Sequence, residues 1–275
     1  MATPRFYSQH GEDCLLWSFF DKQPTGFFVD VGAFDGRYVS NTYAFELMGW
    51  KGICIEPHPV SYELLSSLRS TTCLNVACVA DETTTSVTLF MEKLGFLSGL
   101  LEDRQDDVKR RYEKRGLEFD GFETVSVPAT TLNQILSEQL PRGAATEISF
   151  LSLDVEGTEL DVLRGLDLKK YRPRVLLIET NSAPERETLS AYLAAYGYIF
   201  ARRLEVNSLY AHDLRDVERL RSIQIDCVIE ATPHPFGAEL TPAQYTVDRR
   251  ISTPAEIKPK PAPRLTRLIR RILGR

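Results

Sequence analysis

The stretch FFVDVGAFDG, Phe27 to Gly36, decides the fold. A short, almost continuously apolar run passes into a glycine-bearing turn and then into a helical pattern, which is how the first strand of an α/β sheet meets its first helix. At such a turn the backbone must approach a nucleotide-like ligand closely, and Gly32 and Gly36 are expected to supply the room.

Working outward, apolar bursts of strand length recur at 52–56, 73–77, 148–154 and 174–179, with helical patterns at 41–48, 60–69, 132–139, 159–166 and 185–196. The alternation predicts an α/β sheet whose strands are covered on both faces. Residues 198–212 read as two strands turning at 205–207, a hairpin for one edge of the sheet. Residues 92–121 are charged and irregular, readable as a solvated helix or as a lid. Prolines at 233, 235, 242, 254, 259, 261 and 263 mark a linker. The expected organisation is an N-terminal helical segment (1–25), a main domain (26–230), a Pro-rich linker (231–263) and a basic tail (264–275).

The 275 residues are 43% hydrophobic and 26% charged, which sets aside disorder, collagen and coiled coil. The net charge of −5 is uneven. No acid follows Glu256, while seven Lys and Arg do, leaving residues 1–257 with 26 bases against all 38 acids, a net of −12. So acidic a body repels a phosphate backbone and argues against nucleic acid as a partner. Five cysteines, at 14, 54, 73, 78 and 227, lack the spacing of a disulfide framework or a zinc site, so reduced thiols in a cytoplasmic protein are expected. The first residues lack the apolar stretch of a signal peptide, and no run approaches the ~18 apolar residues of a membrane span.

The acids of the first turn narrow the ligand. Asp30 ends the strand and Asp35 lies within the turn, so a pyrophosphate there would face two fixed anions. At about 4 Å and an effective dielectric near 20, each such contact costs on the order of 4 kcal/mol before screening. S-adenosylmethionine instead brings an ammonium and a sulfonium, and the third glycine of a dinucleotide turn is missing. Glu56, 20 residues past Gly36 in GICIEPHP, ends the second strand where an acid can accept both ribose hydroxyls of an adenosine. Alone, Asp30 reads equally as a turn acid and Glu56 as a surface acid; together, in this order, they favour a nucleoside cofactor.

DVGAFDG at 30–36, CIEPHP at 54–59, LNVACVAD at 74–81, TLNQIL at 131–136 and LSLDVEGTELDVLRGL at 151–166 resemble the FkbM-type S-adenosylmethionine-dependent methyltransferases. So do SQHGED at 8–13, SNTYAFELMGWKG at 40–52 and the Ser-Gly-Leu at 98–100, and the resemblance spans about residues 7–212. It implies a Rossmann-like, seven-stranded methyltransferase fold and methylation of a hydroxyl on a sugar, glycan or other natural product. It places Asp30, Gly32 and Gly36 at the methionine end, Glu56 at the ribose and the stretch from Asn75 to Asp81 at the adenine. Phe34, Asn41 and Pro57 complete the cofactor-binding set it implies. Asn133 departs from the Asp usual in similar sequences. His10 and His58 are read as exposed loop residues.

Methylating an alcohol requires its proton to leave, by a general base or by a metal that acidifies the hydroxyl. The fourth and fifth strands end in Asp154-Val155-Glu156 and Glu179-Thr180-Asn181, on the edge where reacting groups gather. Asp154 can act as the base with Glu156 and Glu179 beside it. Alternatively Asp154, Glu179 and Asn181, all oxygen ligands, hold Mg²⁺ or another hard divalent cation. Glu156 and Glu159 can also simply favour the start of a helix.

In the tail RLTRLIRRILGR, Leu265, Leu268, Ile269 and Ile272 form one apolar stripe opposite arginines. Peripheral contact with an anionic inner-membrane surface is one reading; a protein-docking helix or one packed on the acidic body are others. Two further functions stay open: a methyltransferase-fold scaffold without catalysis, and an NAD-dependent oxidoreductase, which the turn chemistry disfavours.

Overall fold

The apolar run after residue 26 forms a strand buried on both faces. The computed structural model describes residues 4–140 and 147–236, so the segment from 237 onward, including the amphipathic stretch 264–275, lies outside the described residues. In chain order the elements begin with α1 (Glu12–Phe19), β1 (Phe27–Val31), α2 (Tyr43–Leu47), β2 (Lys51–Ile55), α3 (Pro59–Leu68), β3 (Thr72–Leu74), β4 (Ala77–Cys78) and β5 (Ser86–Met91). They continue with α4 (Gln105–Glu113), β6 (Glu123–Thr130), α5 (Leu132–Gln139), β7 (Phe150–Leu153), α6 (Glu159–Arg164), β8 (Val175–Glu179), α7 (Ala183–Ala194), β9 (Ile199–Leu204), β10 (Asn207–Ala211) and α8 (Leu214–Ser222).

The main sheet has seven strands in the order β3-β2-β1-β7-β8-β10-β9. The first five are mutually parallel, and β10 runs antiparallel to both β8 and β9. This is the expected Rossmann-like seven-stranded sheet, closed at one edge by the 199–211 hairpin. Side chains alternate across each strand. Val29 and Val31 pack with Ile53, Leu151, Leu153 and Ile178 beneath α5, α6 and α7. Phe28, Cys54, Phe150 and Leu177 face the other way, against Leu15, Leu16 and Phe19 of α1, Phe45 of α2 and Val217 and Leu220 of α8. Segment 1–25 therefore contributes a helix to the core. Among the described residues no helix is long and apolar enough to cross a membrane.

The expected strand at 73–77 is divided. β3 ends at Leu74, where the Asn75 amide donates to the carbonyls of Glu56 and Pro57, and β4 joins a second sheet in the order β4-β6-β5. The antiparallel β5–β6 pair has no counterpart among the expected strands, although Val87 and Leu89 alternate with Ser86 and Thr88. Residues 92–121 contain α4, anchored by buried Val108 and Tyr112. Residues 231–236, the start of the expected linker, pack against the main domain: His234 and Phe236 lie against Phe34.

Asp30 falls on the Phe28 face, where a buried arginine meets it. Arg69 donates through Nε to Glu46 at 2.5 Å, through Nη1 to the Gly36 carbonyl at 2.9 Å and through both Nη atoms to Thr42 Oγ1 at 3.2 Å. Thr42 in turn donates to Asp30. One guanidinium thus joins β1, α2 and α3 below the first turn. Arg69→Met keeps the apolar stem but leaves buried carboxylates without their cation, so urea unfolding is expected to show a loss of about 3–5 kcal/mol. A loss below about 1 kcal/mol would show that the network is not needed.

Candidate active site

A cavity of about 380 Å³ opens at the carboxyl ends of β1, β2, β7 and β8, the crevice where open α/β sheets bind ligands. Its floor is the turn after β1. The Gly32 and Ala33 N–H groups both donate to the Ile55 carbonyl, folding the chain over β2. Gly32 has φ +87°, and a Cβ there would stand 1.6 Å from the Asp154 carbonyl oxygen. A Cβ on Gly36, at φ +80°, would meet Leu65 and Arg69, and Gly36 does not line the cavity. The physical reason for both glycines therefore differs from the expected one: they make room for the protein's own backbone and side chains.

Two acids stand on the cofactor side. Asp30 lines the cavity above Thr42, and burial raises its pKa while Thr42 and Arg69 oppose the rise. Glu56 accepts the Phe34 N–H at Oε2 and the His58 N–H at Oε1, each at 2.8 Å, and burial pushes it up to about 7. It has no cationic partner among the described residues, which suits a ligand that brings donors and positive charge. Asp35 is engaged in the turn, accepting from the N–H groups of Arg37 and Tyr38. His58 is buried, against expectation, because Pro59 starts α3 and makes His58 its N-cap, with Nδ1 accepting from the Ser61 N–H. Burial lowers its pKa to about 4, so the ring is neutral.

Across the cavity, one carboxylate oxygen from each of Asp154, Glu156 and Glu179 lies within 4.8 Å of the other two. Burial, then the charges of Glu156 and Glu159, push Asp154 up to about 8. Glu179 is raised well above the carboxylate range by burial and by Asp154. Asp154 and Glu179 stand side by side, with an oxygen of each within 4.8 Å of the other, so two full charges there would be costly. Glu156 is held differently, paired with Arg104 and with Arg111 at 3.1 Å. The Asn181 amide donates to Glu179 Oε2 at 2.8 Å.

The remaining walls come from the 8–13 loop and from the segment at 92–115. Buried Glu92 accepts the N–H groups of Leu94 and Leu97 and the Tyr112 hydroxyl, fixing the loop that brings Ser98, Gly99 and Leu100 to the cavity. Asp13 accepts from Tyr7 N, Ser8 N and Ser8 Oγ, and Glu12 accepts from His10 N and the Asn207 amide. These bonds hold the 8–13 loop so that Gln9 lines the cavity. Phe34, Val39 and Glu156, all lining residues, have φ of 49°, 46° and 59°. Left-handed backbone is costly for such side chains, and here it clusters around one cavity.

Of the residues singled out from sequence, Asp30, Gly32, Phe34, Asn41, Glu56, Pro57, Asp154, Glu156, Glu179 and Asn181 share this cavity. Asn75 and Asp81 do not line it. Asn75 shapes the turn after β2, and exposed Asp81 accepts from Thr83. From that stretch Ala77 and Cys78 reach the cavity instead, because β4 turns toward it. Arg111, Lys114 and Arg115 of the charged segment also line it; their i, i+3, i+4 spacing was the available signal.

Residues 30–200 match the family profile described as methyltransferase FkbM domain. The chain is 28% identical over 197 residues to methyltransferase sdnD of Sordaria araneosa, covering 64% of this chain and 74% of that protein. It also aligns with the solved structure of PH1948 from Pyrococcus horikoshii, described as an RNA methyltransferase. That match has 10% identity and a TM-score of 0.35, over 73% of this chain and 83% of the other.

The floor of the cavity predicts its own weak point. Gly32→Ala adds a left-handed penalty of about 1–2 kcal/mol to the displacement of the Asp154 peptide, so thermal unfolding should fall by several degrees. A melting temperature within about 2 °C of wild type would contradict the close approach.

Proposed function

Because the chain belongs to the FkbM methyltransferase family, we propose that it transfers the methyl group of S-adenosylmethionine to a hydroxyl of a sugar, glycan or other natural product. The observation that carries this reading is one cavity with Asp30 and Glu56 on one side and the adjacent Asp154 and Glu179 carboxyls on the other. When bound, S-adenosylmethionine supplies an electrophilic methyl on a sulfonium.

The chain's residues do the rest. Glu56 offers its free lone pairs to ribose hydroxyls, and Asp30 faces the methionine end. Ala77, Cys78 and Leu89 provide an apolar wall for the adenine. The acceptor hydroxyl loses its proton to Asp154 as the carbon–oxygen bond forms, leaving a methyl ether, S-adenosylhomocysteine and a protonated carboxyl. A raised carboxyl pKa suits a general base near neutral pH. Glu156, paired with Arg104 and Arg111, orients the turn rather than accepting the proton.

A second reading has a specific observation behind it: the 4.8 Å grouping of Asp154, Glu156 and Glu179 is compact enough for a hard divalent cation, with Asn181 adjacent. Chelation separates the two. Unchanged turnover after EDTA supports the base, whereas loss of turnover restored by Mg²⁺ supports the cation.

Calorimetry is expected to show saturable binding of S-adenosylmethionine and none of NAD; binding of NAD alone would overturn the assignment, and binding of neither would favour a scaffold. Asp154→Asn should lower kcat by at least about a hundredfold while cofactor affinity stays within about threefold. Since Asp154 acts ionised and its pKa is raised to about 8, kcat/KM should climb as pH rises through that region. A flat profile from pH 6 to 9 in the wild type (roughly the window around a base of this pKa) would remove Asp154 from the role.

A further inference from the structure

The cations of α4 bear on what the acceptor carries, an inference that rests on the methyltransferase reading above. Arg111, Lys114 and Arg115 occupy one face of the helix and its end, and all three line the cavity. Arg111 is neutralised by Asp107 and Glu156, each at 3.1 Å. Lys114 and Arg115 are not: neither has a carboxylate partner among the described residues. Arg115 Nη1 donates to the Arg111 carbonyl at 3.0 Å and its guanidinium lies 5.2 Å over the Phe96 ring. The Lys114 ammonium makes no hydrogen bond to the described residues, only its backbone N–H donating, to the Arg110 carbonyl.

Basic residues at a helix C-terminus complement its dipole. That would account for cations anywhere around the end of α4, and exposed Arg110 already meets it from the solvent side. It does not account for Lys114 and Arg115 standing along the cavity. The cavity also contains five acids, Asp30, Glu56, Asp154, Glu156 and Glu179, and of its three lining cations only Arg111 is paired with one of them, which leaves Lys114 and Arg115 to draw an anion in. Phe96, beneath Arg115, adds an apolar surface next to the charge.

We propose that Lys114 and Arg115 form an anion subsite that binds a carboxylate or phosphate carried by the acceptor, so that the acceptor class is an acidic or phosphorylated sugar or natural product. Charge at that point also orients the acceptor, since its anion is drawn toward α4 while its hydroxyl is left for Asp154.

The test titrates the S-adenosylhomocysteine complex with inorganic phosphate and, separately, with acetate, at constant ionic strength held with sodium chloride. Saturable binding of at least one anion is expected, weakened by about tenfold or more in the Lys114→Gln/Arg115→Gln double variant and retained in Lys109→Gln, an exposed cation on the same helix. The tighter of the two anions assigns a phosphorylated or a carboxylated acceptor. No saturable anion binding in the wild type, or equal binding in a double variant whose circular dichroism and melting match wild type, would overturn the subsite. So would a tenfold loss of S-adenosylhomocysteine affinity in that variant, which would assign the pair to the cofactor's own carboxylate. Failure of the wild type to bind S-adenosylhomocysteine overturns the methyltransferase reading instead, and the anion titration of the ligand-free protein then reads the pair alone.

Discussion

Everything at the site depends on how closely two peptide segments pass at the carboxyl ends of β1 and β7. Asp154 N–H donates to the Val31 carbonyl, and the next peptide of β7 lies where a side chain on residue 32 would be. Beyond that point the chain from β1 folds over β2, while the chain from β7 turns into α6 and on to β8. The divergence is the switch point of the sheet, and the cavity is the space it leaves. A side chain at 32 would push the two turns apart and carry Asp154 away from Asp30 and Glu56.

The second constraint is electrostatic. Asp30, Glu56, Glu159 and Glu179 are buried and Asp154 is half-buried; all five have raised pKa values, with loss of water around the carboxyl the largest cause in each case. Such a set is costly unless hydrogen bonds and counter-charges offset it. Arg69 meets the acids beneath the first turn, and Arg104 and Arg111 meet Glu156 above the second. Backbone N–H groups serve Glu56 and Glu159. The compensation is incomplete, and the carboxyls with the least of it, Glu56 and the Asp154–Glu179 pair, border the cavity. The −12 charge of residues 1–257 is therefore partly a property of the site.

Strain follows the same map. Val39 is β-branched and still sits at φ 46°, and Phe34 and Glu156 share that region of backbone space. Two of the three are fixed from outside: Phe34 by the bond from its N–H to Glu56 and by the rings of His234 and Phe236, Glu156 by two arginines. Residues 231–236 thus pack, through His234 and Phe236, against Phe34 and Phe96, which line the cavity.

Periodicity and local chemistry settled much of this in advance. Continuous apolar runs made β1, β2, β7 and β8 legible, because a strand covered on both faces leaves no other pattern, and the motifs at 30–36, 54–59 and 151–166 located Asp30, Glu56 and Asp154 at strand ends. Sequence therefore determined the fold and which acids meet. It did not disclose Arg69 as their counter-charge, the burial of His58, the turning away of Asp81 or the cavity-lining face of α4. The Arg69 network and the placement of α4 depend on contacts across roughly 20 to 100 residues of chain, where side-chain direction is set by packing and not by local propensity. Only tertiary structure could decide whether a charged helix faced water or the cavity, because the same arginines and lysines suit both until the acids opposite them are in place.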